Sequence, residues 1–426
     1  MNRWEYVRLS DYCEIFPGYA FDSSKFTDND VDIHLVKGEN LHQGYIDWTN
    51  AKRWNLSDWD SLKKFHLRKG DIVVAMDRPW IEAGLKWSSI KEKDPKALLV
   101  QRVARLRTRK TLSQYFLRYV IGSKVFEGYI KPIVTGVNVP HISGTQIGSF
   151  KFYLPPLPIQ RKIAAVLSAY DDLIENNNRR IAILEKMAEK LYREWFVRLR
   201  FPGHEKTKFV KGVPEGWEVK RIGELFRTAS GGTPSRTEPR NYEGNINWFK
   251  TGELKQTYIF ESEEKISQLG LESSSAKIFP AGTVVMAMYC AMADISILAN
   301  SGATNQACCV FFPIDPKISS VFTFYLIKGA LPHMIAFAHG AAQQNLSQEL
   351  IKSHKVFLPN VKLIEAFTEK IDALHRLIKF SMEKTYRLKS SRNRLLTRLM
   401  SGKIEVENLD IQFPASMKEE EVVAHG

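Results

Sequence analysis

Apolar residues recur at spacings of three and four from Ile163 to Trp195, through Leu167, Tyr170, Ile174, Asn177, Ile181, Leu184, Ala188 and Leu191. A stripe of that period predicts one long amphipathic helix with a heptad seam, in which Asn177 is the polar member. The preceding Leu154-Pro155-Pro156-Leu157-Pro158 is held extended by its prolines. Proline is tolerated in a helix's first turn, so the helix is expected to start near Pro158. Shifted by 204 residues, the register reads Phe367, Ile371, Leu374, Ile378, Ser381, Thr385, Leu388, Arg392, Leu395 and Leu399. Two seams in one register imply paired rods, each roughly 55 Å long at 1.5 Å per residue. Helix pairing is assigned to Ile163, Leu167, Ile174, Asn177, Ile181 and Leu184 on the first rod, and to Ile371, Leu374, Ile378, Ser381, Leu388 and Leu395 on the second. Asn177 and Ser381 occupy matching positions; either they are buried and fix register, or they face solvent at a bend.

The rest of the chain also repeats. "WEYVRLSDYCEIFPGYAF" from Trp4 corresponds to "WEVKRIGELFRTASGGTPS" from Trp217, 213 residues later. "LVKGENLHQGYID" from Leu35 matches "WFKTGELKQTYIF" from Trp248, and "KGDIVVAM" from Lys69 matches "PAGTVVMAM" from Pro280, each a β-branched run expected of a buried strand. Later pairs settle at an offset of 204: Gly136 with Gly340, Ser143 with Ser347, Ile147 with Ile351, and Leu154-Pro155 with Leu358-Pro359. Collinear order across both halves predicts a duplication. The expected fold is α+β: two tandem mixed α/β globules, residues 1–155 and 217–359, separated by a pair of long antiparallel helices, residues 156–198 and 360–402, with approximate two-fold symmetry. Residues 199–216, rich in Pro, Gly and Lys, read as a linker, and the acidic tail 403–426 as flexible.

Composition narrows the chemistry. The 426 residues suffice for two cores, and no run approaches 18 apolar residues, so no membrane span is expected and the cytoplasm is the default compartment. Four cysteines, Cys13, Cys290, Cys308 and Cys309, lack any C-x-x-C pairing and read as reduced core residues; no metal site is expected. The net charge of +14 points to a polyanion, and residues 379–403 carry eight Lys or Arg against one acid. Catalytic motifs are missing. "SGGTPS" at Ser230 lacks the Gly-Lys-Ser/Thr of a phosphate loop, and Pro155-Pro156 lies between leucines, not in the Asn/Asp-Pro-Pro-aromatic tetrapeptide of an amino-methyltransferase. Glu253-x-Lys255 and Glu263-x-Lys265 lack the upstream Pro-Asp of a nuclease site.

These features together resemble the specificity subunit of type I restriction-modification systems, over nearly the whole chain. The resemblance rests on Leu154 to Pro158, Gln160, Ile163-Ala164, Leu167, Asp171 or Asp172 and Ile174, on the second copy after Leu358-Pro359, and on "GGTPS" from Gly231. Two departures stand out: Ile159 occupies a position where the family commonly has Glu, and "LPNVKLIEAF" lacks the glutamine, which puts a helix cap in doubt. The resemblance implies a non-catalytic subunit whose two target recognition domains each read one half of a split double-stranded DNA target. It further implies that the helices set the spacer and dock modification subunits, two of them, while restriction/translocase subunits join through the complex. S-adenosylmethionine, and ATP with magnesium, would belong to those partners; no cofactor is expected on this chain. The alternatives are a stand-alone DNA methyltransferase or endonuclease, and a coiled-coil adaptor without a DNA role.

Base edges are read by polar side chains on loops, and phosphates by cations and backbone N–H groups. Loops matched between the halves supply the DNA-binding candidates: Lys37, Asn40, Arg78, Trp80, Arg102, Asn138 and His141 in the first, and Thr233, Ser235, Lys250, Tyr289, Asn305, Gln343, Gln344 and Asn345 in the second. Tyr192, Trp195 and Phe196, bulky and close to the linker, are the expected partner-docking residues.

Overall fold

The two periodic stretches form helices Leu157–Tyr192 and Val361–Met400. A computed structural model of the chain describes residues 4–81, 84–109, 111–134, 140–288, 294–340 and 345–417. Gln160 explains how the first helix is launched. It is fully buried; its Nε2 donates to the carbonyls of Pro155 (2.8 Å) and Thr111 (2.9 Å), and its Oε1 accepts from Ser113 N–H (2.8 Å). The second helix, which lacks that glutamine, starts on a side-chain cap instead: Asn360 Oδ1 accepts from Leu363 N–H at 2.9 Å.

Contacts group the chain into two compact units, Met1–Ile174 with Leu388–Gly426, and Glu175–Arg387. The boundaries therefore fall inside the helices and not at their starts, because each half-helix packs into the core it adjoins. In the first unit Ile163 and Leu167 share a core with Leu395 and Leu399, and Arg392 reaches Asp171 Oδ1 at 2.6 Å. In the second, Tyr192, Trp195 and Phe196 surround Phe367, with ring centroids 4.9 to 5.9 Å apart. In each unit residues early in one helix meet residues late in the other, so the pairing is antiparallel.

Of the seam residues, Ile163, Leu167, Ile174, Ile181, Ile371 and Ile378 are buried, and Leu184, Leu374, Leu388 and Leu395 are half-buried. Asn177 and Ser381 are buried too, which removes the solvent-facing alternative; Asn177 Nδ2 has no partner among the described residues. Tyr192, Trp195 and Phe196 are not a docking surface. Tyr192 and Trp195 are buried in the core of the second unit and Phe196 packs against it, since large apolar rings at a helix end gain most by leaving water.

Each unit repeats one topology. In the first, strands Cys13–Pro17, Val103–Thr108, Ile72–Ala75 and Trp87–Ser89 lie in that order in an antiparallel sheet, and Ile33–Val36 pairs parallel with Ala97–Leu99. In the second, Phe226–Ser230, Cys308–Pro313, Val284–Ala287 and Ile295–Leu298 repeat the antiparallel order, and Ile246–Phe249 pairs parallel with Ala303–Thr304. Gly18 and Gly231 hold the same place. A Cβ on Gly18 would lie 2.2 Å from Val100 O, and one on Gly231 1.8 Å from Thr304 O, so only glycine lets these segments meet.

One expectation fails in the connecting segments. Residues 403–417 are not a loose tail: Val406 and Met417 are buried in the first unit, Lys162 Nζ donates to the carbonyls of Glu407 and Leu409, and Tyr115 Oη donates to Ser416 O. The linker is anchored by Phe201, buried with its ring 5.5 Å from that of Trp217. Helix Ser320–Gly340 meets the length and apolarity of a membrane span over Ser320–Ala338, yet Phe322, Ile327 and Met334 on it are fully buried in the second unit's core.

Candidate nucleic-acid interface

Three chain segments converge after strand Ile72–Ala75. Met76 N–H donates to Arg102 O (2.7 Å), Ile142 N–H to Met76 O (2.8 Å) and Arg78 N–H to Pro140 O (2.8 Å). These bonds bring Arg78, Arg102 and His141 around Asp77, whose carboxylate accepts from Arg102 Nη1 at 2.6 Å and pairs with His141 Nδ1. Arg78 and Arg102 both take left-handed backbone, φ 41° and 71°, where side chains other than glycine are rare. Such backbone is held by its surroundings and is concentrated at functional sites. Arg78 is exposed and its guanidinium makes no ion pair among the described residues. Trp80 lies half-buried nearby in sequence, with the Lys131 ammonium 5.8 Å over its ring.

Lys86 and Asp77 were missed by the sequence reading. Lys86 Nζ donates to Gly38 O at 2.9 Å, tying the loop of Lys37 and Asn40 to this cluster, and burial followed by the Arg78 charge lowers its pKa. The signal for Asp77 was its place directly after a buried strand and before Arg78.

Asn40 does not read bases. It is buried, its Oδ1 accepts from Lys37 N–H (2.8 Å), and its Nδ2 donates to Leu35 O and Asp47 O, so its hydrogen-bonding groups hold the loop. Lys37 is also engaged, 3.1 Å from Glu39 Oε2 and 5.1 Å over the Phe26 ring.

The second unit builds the same place with different chemistry. Leu346 N–H donates to Met288 O (2.7 Å), the counterpart of the Ile142 to Met76 bond, so exposed Asn345 stands where His141 stands in the first unit. Thr233 Oγ1 donates to Gln306 Oε1 on the turn that follows strand Ala303–Thr304. Asn305, on the same turn, is half-buried with its Oδ1 taken by Ala307 N–H (3.2 Å). Exposed Ser235 pairs with Thr237 Oγ1 at 2.7 Å. Lys250 is 3.2 Å from Glu264, and Arg236 grips the same carboxylate bidentately (2.7 and 2.9 Å). The Arg236 bonds, followed by Lys250, hold the Glu264 pKa down at about 2. Burial alone would lower the Lys250 ammonium, but Glu264 and its neighbours keep it above its ordinary value. Lys37 and Lys250, chosen because they match, are thus both paired with carboxylates of their own unit and present no free cation. Asn138, Tyr289, Gln343 and Gln344 lie outside the described residues.

The described cysteines offer no reactive thiol. Cys13, Cys308 and Cys309 are buried, and burial pushes each thiol up to about 12.

Two matched sites with dissimilar side chains on one repeated scaffold suit recognition of two dissimilar targets. The model of the type I restriction modification DNA specificity domain matches twice, at residues 1–186 and 214–389. The chain belongs to the type I restriction-modification specificity subunits. It is 26% identical over 305 residues to the type I restriction enzyme MjaIX specificity subunit of Methanocaldococcus jannaschii, covering 69% of this chain and 70% of that one. A putative MjaX specificity subunit of the same organism is 23% identical over 410 residues, covering 95% and 94%. The S subunit of a type I system from M. genitalium shares the fold with a TM-score of 0.55 at 15% identity, covering 93% of this chain and 96% of that one. As in that family, this specificity subunit is a DNA sequence-recognition component.

Proposed function

We propose that each unit reads one half of an asymmetric, bipartite double-stranded DNA target, and that the chain catalyses nothing itself. The observation that carries this reading is the equivalence of His141 and Asn345: one scaffold position, two different hydrogen-bonding faces. Half-sites read by such a pair differ. Arg78 supplies a forked donor suited to guanine edges or phosphates in the first unit, beside Arg102, which Asp77 holds by one of its nitrogens, and Thr233, Ser235 and Asn345 supply neutral donors and acceptors in the second.

In this reading two modification subunits dock on the chain, and restriction/translocase subunits join through the complex. The modification subunits bring S-adenosylmethionine for adenine methylation, and the motor subunits bring ATP and magnesium; no residue of this chain is assigned to either. The complex works in the cytoplasm. The paired helices set the number of unread base pairs. With Tyr192, Trp195 and Phe196 in the core, the large hydrophobic residues exposed on the helices are Leu173, Ile183 and Met187 on the first and Leu377, Phe380 and Tyr386 on the second.

Labelled S-adenosylmethionine tests the division of labour. Transfer to DNA is expected only when the modification subunit is added, and transfer by the purified chain alone would overturn the reading.

A further inference from the structure

Strand Glu5–Arg8 pairs antiparallel with Lys151–Leu154, and strand Glu218–Arg221 with Lys355–Leu358. Each pair is an isolated two-stranded ribbon whose second strand runs straight into a long helix. Strand alternation sends Val7 and Phe152 into the core of the first unit, and Val356 into that of the second. The opposite faces are solvated, and each carries one pair of large hydrophobic side chains and one pair of cations. In the first ribbon Tyr6 sits across from Tyr153 with ring centroids 4.9 Å apart, and Arg8 sits across from Lys151. In the second Val219 sits across from Phe357, and Arg221 from Lys355. The apolar members are 58%, 39%, 52% and 54% exposed. None of the four cations makes an ion pair among the described residues.

The physics of this face is unlike that of the loops that differ between the units. A cross-strand pair of large apolar side chains left half in water forgoes burial that a docked partner would complete. Exposed apolar patches with polar rims are characteristic of protein contacts. The reading loops have diverged, as recognition of unlike half-sites requires, whereas the ribbons keep one apolar pair and one cationic pair at matched positions. A surface matched in both units faces something that is the same at both. A phosphate backbone meets that condition but has no use for Val219 and Phe357.

We propose that the two ribbon faces, Tyr6, Tyr153, Arg8 and Lys151 in one unit and Val219, Phe357, Arg221 and Lys355 in the other, are equivalent docking sites for two copies of one protein partner. The partner presents an apolar socket bordered by carboxylates. This rests on the reading above, under which that partner is the modification subunit, and it adds the ribbons as contact surfaces distinct from the helix faces.

The test uses the full chain and purified modification subunit, with copy number read by native mass spectrometry and affinity by titration. Tyr6→Ser with Tyr153→Ser is expected to leave one copy bound, as is Val219→Ser with Phe357→Ser. Combining all four should weaken both copies at least tenfold. Since the positions are exposed, each variant should unfold at the temperature of the unaltered chain. Arg221→Glu with Lys355→Glu, which leaves the apolar pair in place, should also release one copy. Two copies held at full affinity by the fourfold variant would overturn the inference and leave the proposed function standing. So would charge reversal that weakens DNA binding by the partner-free chain while partner binding is kept, because the face would then be a phosphate track. No binding by the unaltered chain would overturn the complex itself and both readings with it.

Discussion

Arg392 breaks the apolar seam of the second helix, and its pairing with Asp171 gives the antiparallel arrangement a quantitative test. Asp171 is only 12% exposed and is held by three donors: Arg392 Nη1 at 2.6 Å, Arg118 Nη2 at 3.1 Å and Tyr119 Oη at 2.8 Å. Asp171→Ala strands two guanidiniums that are themselves 27% and 30% exposed. Breaking a fully buried pair costs about 3–5 kcal/mol, and discounting for solvent around the arginines leaves about 2 kcal/mol. For a unit of this size that is a fall of about 4–8 °C in melting temperature. The assay is a double-mutant cycle with Arg392→Ala, read by thermal and urea unfolding of the full chain. The expected coupling between the two sites is about 1 kcal/mol. Additive single effects would show that the helices do not meet at this point and would refute the antiparallel pairing in the first unit.

Other outcomes follow from the same geometry. Trp195→Ala should destabilise the second unit by about 3–5 kcal/mol in urea unfolding; unchanged stability with loss of partner binding would return this residue to a docking role. His375 is buried between Tyr258 Oη and Tyr325 Oη, each 3.0 Å away, and burial lowers its pKa to about 4 against the opposing charge of Asp372. Because the folded value lies below the unfolded one, near 6.5, the unfolded chain binds the extra proton between pH 6.5 and 4. Stability from this group is therefore complete above pH 6.5 and is lost as pH falls toward 4, and His375→Gln should flatten that part of the unfolding profile. Gly231→Ala, forced against Thr304 O, should disrupt recognition of one half-site, and Gly18→Ala that of the other, as read by methylation of each half-site. A heptad inserted in both helices should lengthen the unread spacer and leave the half-sites unchanged, read by mapping methylated sequences.

Elements with a strong period were legible in the chain. The two seams, the proline-marked helix start and the repeated β-branched strands are local patterns, and burial of one face follows from each. The residues that failed did so for want of neighbours. Asn40 has the chemistry of a base reader, but Leu35 and Asp47 offer its amide two carbonyls, a geometry that residue type does not disclose. Tyr192, Trp195 and Phe196 are as apolar as any docking patch, and only the fold shows Phe367 waiting for them. The acidic residues of 403–417 masked the irregularly spaced Val406 and Met417, which belong to a core begun some 400 residues earlier. Loops matched between halves drew attention to His141 and Arg102, which meet at Asp77, while Lys86 sits in a strand region with no motif of its own.

Independent reading of the two half-sites is the property on which the proposed function stands. Its most direct test replaces residues 217–359 with the corresponding segment of a related specificity subunit, keeps the remainder, and maps methylated sites genome-wide in cells that supply the modification subunit. One half-site is expected to change to the donor's while the other half-site and the spacer stay as they were. Change in both half-sites, or in neither, would contradict it.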